Sequence, residues 1–182
     1  MSLVEEMLKD YRGKSPFGKD GGVTADFAFV YAGPYFIKIR NTQLRKSAIC
    51  YHDLHHIFSG YNNSRIGEGE AGAWEIATDC WVKPYTVFLN LSGMATGLMY
   101  SPSRILKAFQ AGSRCQNLYR LDITNVLSSE VGETEKYIQN GSGFRKNVFV
   151  VYSRFGLYAF AAYILLILLL VIGFTFGKRT RA

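Results

Sequence analysis

Apolar positions recur at helical spacing over most of this chain, and one block near the C-terminus loses its polar positions altogether. Leu3, Met7, Leu8 and Tyr11 give residues 2–12 the apolar side of a short helix, with Ser2 as N-cap and Glu5 closing a capping box. Gly13 to Gly22 carries turn-type glycines and a proline and reads as a loop. From Asp26 to Ile39 the chain is aromatic and apolar, interrupted at Gly33-Pro34. Its charge-free part, Phe27 to Ile37, is too short to span a bilayer. A buried helix broken at Pro34 is the expectation there, with a lipid-contacting surface as the alternative. Asn41 to His56 forms the next helix, basic at its start through Arg40, Arg45 and Lys46 and stopped by Ser59-Gly60.

A partner helix over 67–82 places Glu68, Ala71, Gly72, Glu75 and Asp79 on one face. Small residues at 71 and 72 predict close approach of these two helices as an αα-hairpin. Pro84 breaks the run. Val87 to Met99 is a third, apolar helix; Ser101-Pro102 opens a fourth through about Tyr119; and residues 122–139 give one or two short helices before a hinge at Asn140-Gly141-Ser142-Gly143. Phe155 to Phe176 is 22 residues without a charge, about 33 Å of helix and enough to cross a bilayer. The pattern predicts an all-α fold: an N-terminal helix and loop (1–24), a helical bundle domain (25–140), a linker (141–154), one C-terminal transmembrane helix (155–176) and a basic tail (177–182).

Charge and cysteine usage narrow the setting. The net charge is +7, which suits nucleic acid, an anionic membrane surface or an acidic small molecule. Lysine and arginine are dispersed and no reader motif appears, so nucleic acid is set aside and membrane lipid accounts for the excess. Cys50, Cys80 and Cys115 are odd in number and widely spaced, which fits a reducing compartment. The N-terminus has neither a basic n-region nor an apolar h-region, so the expectation is a single-pass tail anchor with the domain on the cytoplasmic side.

The chemistry concentrates in Cys50-Tyr51-His52-Asp53-Leu54-His55-His56: all three histidines fall within five positions. On a helix His52 and His56 lie one turn apart with Asp53 beside them, and Glu68 follows on the partner helix. Two imidazoles with nearby carboxylates suit a borderline divalent cation, zinc first among them. His52, Asp53, His56 and Glu68 are the candidate ligands. The rival is an exposed polar face, or core histidines bonded to Tyr and Asp. His55 is placed as an outer group supporting a ligand or as a surface residue, and Glu75 shares the inner face. Several motifs fail on their residues: the zincin pattern needs Glu where Asp53 stands, a di-iron bundle needs two Glu-x-x-His units, and the HD-type hydrolases and membrane desaturases need further histidines.

His52-Asp53-x-x-His56, eleven residues and then Glu68, with His56-Ile-Phe-Ser-Gly60-Tyr61 and Gly67-Glu68 around them, resembles the ubiquinone biosynthesis protein family of the Coq-four type. The likeness covers about residues 25–140 and is strongest over 50–75. It implies an all-helical domain holding a divalent metal, commonly zinc, through His52, Asp53, His56 and Glu68. It also implies a long isoprenoid ligand and removal of the C1 carboxylate from a polyprenylated hydroxybenzoate at a membrane. Arg40 or Arg45 would pair with the acid. The other function class is a non-catalytic isoprenoid-binding scaffold that organises quinone-biosynthesis enzymes, and a third is a metal hydrolase on a lipid headgroup. A homodimer is left open.

Overall fold

The computed structural model describes residues 3–14, 20, 22–32, 35–82, 84–141, 147–176 and 178–179. Among them are eight α-helices: α1 (Val4–Lys14), α2 (Gln43–Ser59), α3 (Arg65–Ala77), α4 (Pro84–Tyr100), α5 (Pro102–Gly112), α6 (Ile123–Ser128), α7 (Val131–Gln139) and α8 (Val148–Phe176). The helical bundle is as the sequence pattern predicts. The central helix is α3, buried from Gly69 through Ala77 and packed between α4 and α5. Around it Leu54, Ile76, Met94, Ile105, Phe109 and Leu118 are fully buried.

Several boundaries move, each for a local reason. At the first helix Ser2 lies outside the described residues; Leu3 precedes α1, and its N–H donates to the Glu6 carboxylate, so Glu6 rather than Glu5 reaches back to satisfy the helix start. The helix expected over 67–82 ends at Ala77 because Asp79 turns into the left-handed region (φ 66) and a 3-10 turn follows over Cys80–Val82. Pro84 therefore opens α4, where a missing N–H costs nothing. The fourth helix stops at Gly112, not near Tyr119. Beyond it the Leu118 and Tyr119 N–H groups are spent on His55 Nε2 and the Asn117 side chain. Gly60 ends α2 with φ 76 as anticipated, its N–H returning to the His56 carbonyl.

The segment expected as a broken helix is instead a pair of antiparallel strands. β1 (Phe27–Ala32) pairs with β2 (Tyr35–Arg40) in the register Phe27↔Arg40 and Phe29↔Lys38, and β3 (Lys178–Arg179) adds to β2. Aromatic and β-branched residues with the alternation Ile37-Lys38-Ile39-Arg40 favour a half-exposed ribbon over a helix. Gly33-Pro34 lie outside the described residues. Phe27 and Phe29 are about half exposed (46% and 50%), so this surface is not core.

Close approach by small residues occurs between α3 and α4, rather than between α2 and α3. A methyl on Gly72 would sit 2.6 Å from the Asn90 carbonyl oxygen, and one on Gly69 would sit 2.7 Å from Gly97 Cα. The apolar C-terminal helix also starts earlier, at Val148, and takes in Arg154, whose charge is paired: its Nη2 meets Asp79 Oδ1 at 2.6 Å.

Both obstructing atoms are backbone, so neither can swing aside. Gly69→Val is expected to lower stability by about 1–3 kcal/mol, the range for overpacking a tight core, read as a drop in thermal midpoint. Gly132→Val, where a Cβ would meet open space, should change far less.

Candidate metal centre

Helix α2 carries His52, His55 and His56 on its inner side because positions one turn apart share a face. Thr42 caps its start by accepting from the Arg45 N–H, and Ser64 does the same for α3 through the Gly67 N–H. With α3 thus fixed opposite, Glu68 and Glu75, two turns apart, both point at the histidines.

Glu75 is completely buried and answers to four donors. Its Oε1 accepts from His52 Nδ1 (2.8 Å) and His55 Nδ1 (2.9 Å), and its Oε2 from Asn90 Nδ2 and the Tyr119 hydroxyl (2.6 Å). His55 is equally buried, with the Leu118 N–H donating to its Nε2 at 2.9 Å. That bond makes Nε2 the acceptor, so Nδ1 carries the proton given to Glu75. His55 is therefore a buried supporting group, one of the two positions the sequence allowed it.

The outer nitrogens of the other two histidines are settled in the same way. His52 Nδ1 faces the Glu75 carboxylate and His56 Nδ1 faces the Tyr61 carbonyl at 2.9 Å; neither partner has a proton to give, so both Nδ1 atoms donate. The lone pairs fall on the two Nε2 atoms, and these lie 3.1 Å apart. Glu68 closes the group, with Oε2 3.2 Å from His52 Nε2 and Oε1 3.5 Å from His56 Nε2. Two nitrogen lone pairs converging beside a carboxylate require a cation between them, either a proton or a metal. His52, His56 and Glu68 form a cluster able to hold a divalent metal ion. The Glu75–His52 contact is the carboxylate–histidine arrangement that orients a ligand and raises its basicity.

Of the other residues singled out in the sequence, Asp53 lines the same cleft, but its Oδ2 is paired with Arg12 Nε at 2.7 Å. Arg45 also lines the cleft, Nη1 donating to Asn41 Oδ1 at 2.9 Å, whereas Arg40 ends β2 on the exposed side. Asn90, Tyr119 and the Tyr61 carbonyl were missed. Asn90 had a local signal, as the sole amide in an apolar helix; Tyr119, distant in sequence, had none.

The cleft measures about 430 Å³ and opens over the cluster. Its walls are largely apolar (Phe27, Phe29, Ala48, Ile49, Leu89), while His52 and Glu68 stay partly exposed to it, at 28% and 33% of their side chains. Comparison with protein-family models, with curated proteins and with solved structures gives no match for this chain.

The electrostatics follow from the packing. Burial alone would lower the His52 pKa, but Glu75 and Glu68 override it and hold the imidazole well above its ordinary 6.5. Burial would raise Glu68, yet its bonds to His52 and His56 bring it down to about 2, and the same balance with His52 and His55 puts Glu75 well below the usual carboxylate range. Burial and the neighbouring Glu75 charge push the Tyr119 hydroxyl well above its ordinary value, so it donates.

These shifts fix a pH window for the metal-free protein. A raised histidine pKa gives stability that is full below the ordinary 6.5 and lost as pH rises through the folded value. Depressed carboxylates give stability present above the ordinary 4.5 and lost as pH falls. Metal-free protein should therefore be most stable between about pH 4.5 and 6.5. Bound divalent metal, replacing the proton, should move the optimum upward. Thermal melts across pH with chelator and with metal check both signs.

Glu75→Gln keeps the shape but removes the charge that holds His52. It is expected to weaken metal binding about 10–100-fold in a metal titration, with the helical content preserved.

Proposed function

We propose that the chain is a membrane-associated, metal-dependent carboxy-lyase that removes the carboxylate from a polyprenylated hydroxybenzoate in prenylquinone biosynthesis. The observation that carries this reading is the pair of Nε2 atoms 3.1 Å apart beside Glu68, on the wall of an apolar cleft with Arg45 also along it. The resemblance around residues 50–75 to the ubiquinone biosynthesis family of the Coq-four type supplies the reaction and the ligand class.

His52, His56 and Glu68 would hold the metal, with zinc the first choice for a nitrogen and carboxylate donor set. Such an ion, when bound, supplies Lewis acidity toward an aromatic acid and its ring oxygens. The remaining work belongs to the chain. Glu75 and the Tyr61 carbonyl keep both imidazoles turned with Nε2 inward. Arg45 meets the substrate's negative charge. Phe27, Phe29, Ile49 and Leu89 take the isoprenoid tail and exclude water. The bond from C1 of the ring to its carboxyl carbon breaks, carbon dioxide leaves, and a proton replaces it at C1. A site walled this way favours a ligand with one polar end and a long apolar remainder.

The test uses the full-length protein in detergent or vesicles. Purified protein should carry about one equivalent of divalent metal, which His52→Ala/His56→Ala loses while its circular dichroism stays helical. Carbon dioxide release from a polyprenyl hydroxybenzoate should fall at least 100-fold in the same variant. Metal bound without turnover would leave a lipid-binding scaffold. Protein that carries no metal and still binds the isoprenoid would remove the lyase reading.

A further inference from the structure

Helix α8 is long and apolar enough to cross a membrane, and only 11% of its most apolar window is buried. Its attachment to the rest of the chain is at odds with a simple tether. At its start, Val151 joins the hydrophobic core, Arg154 is ion-paired with Asp79, the Phe155 ring meets Phe109, and Trp81 Nε1 donates to the Tyr158 hydroxyl at 2.7 Å. At its far end, a methyl on Gly173 would sit 3.0 Å from Tyr35 Cβ, the Phe174 ring lies 6.1 Å from the Tyr35 ring, and β3 pairs with β2. Ala162 in the middle is buried in the same core. From Val151 to Gly173 is about 33 Å of helix, the full thickness of a bilayer's hydrocarbon. The folded body lies alongside the whole of it.

A perpendicular α8 would therefore draw α4 and the β1–β2 ribbon, with exposed Lys38 and Arg40, to hydrocarbon depth, where each charge is heavily penalised. The opposite face of α8 carries no such conflict. Leu157, Phe160, Ile164, Ile167, Leu168 and Val171 are all exposed and recur at helical spacing.

We propose that α8 lies in the plane of the membrane, embedding this face in a single leaflet while its other face carries the domain. A membrane-surface helix ordinarily has one polar side facing water. Here the domain covers that side, so the helix is apolar all round although only one face meets lipid. Lys38 and Arg40, exposed on the ribbon whose β2 strand packs against α8, put positive charge beside the helix. The occupant these charges fit is an anionic leaflet. This posture follows from packing and charge and does not rest on the metal chemistry.

The test places a nitroxide at Leu157→Cys, Ile164→Cys or Val171→Cys in the full-length protein, with Cys50→Ser and Cys115→Ser to prevent stray labelling. The protein is reconstituted in vesicles of phosphatidylcholine and phosphatidylglycerol, and depth is read from oxygen and nickel-chelate accessibility. All three labels lie on the exposed face, spread over about 21 Å of helix. In-plane seating gives one common depth within one leaflet. A deep Ile164 label between shallow labels at 157 and 171 would overturn the proposal in favour of a crossing helix. Full access of the water-soluble nickel chelate to all three labels would overturn membrane seating altogether.

Discussion

A carboxylate removed from water has to be answered by donors, and the Glu75 carboxylate is answered by four of them. These come from α2, from α4 and from the irregular chain after α5, while Glu75 itself belongs to α3. The ring of contacts holds together elements that hydrophobic burial alone would leave free to slide, because apolar contact has no preferred direction. His55 is itself held from its far side through the Leu118 backbone, and Asn117 in the same stretch donates to the Thr78 carbonyl at 2.6 Å.

The cluster of His52, His56 and Glu68 inherits its shape from that constraint. Neither His52 nor His56 is free to rotate, since each has its outer nitrogen committed, one to a charge and one to a carbonyl. The close pairing of the inner nitrogens is thus imposed by the scaffold before any ion arrives. Preorganisation of this sort lets a three-residue donor set act without spending binding energy on ordering itself. Asp53, one residue from His52 and lining the same cleft, is likewise held in place, its Oδ2 paired with Arg12 Nε.

The helical bundle, the facing pair α2 and α3, and the cluster of His52, His56 and Glu68 were legible in the sequence because they rest on local periodicity: His52 and His56 one turn apart, Glu68 and Glu75 two turns apart, Gly60 as a stop. The ribbon was not. Its aromatic run satisfies the length of a short core helix, and the alternation Ile37-Lys38-Ile39-Arg40 that betrays a strand covers only its second half. Tyr119 and the Leu118 backbone reach the site because the fourth helix ends at Gly112, and no local pattern announced that end. The deeper reason is that supporting groups are chosen by tertiary proximity. Asn90 stands out among apolar neighbours, but what it donates to lies on another helix.

Asp79 has a non-glycine side chain in a left-handed backbone conformation, a geometry that costs about 1–3 kcal/mol and persists only where surroundings hold it. It sits just past the end of α3, four positions beyond Glu75, and its carboxylate grips Arg154 of α8. The apolar helix is thus bolted to the same rod that carries Glu68 and Glu75. The joint is short: Arg154 also donates to the Ala77 carbonyl, so one side chain of α8 meets the end of α3 at two points. The long apolar helix and the helix that carries both glutamates thus share a joint at Asp79.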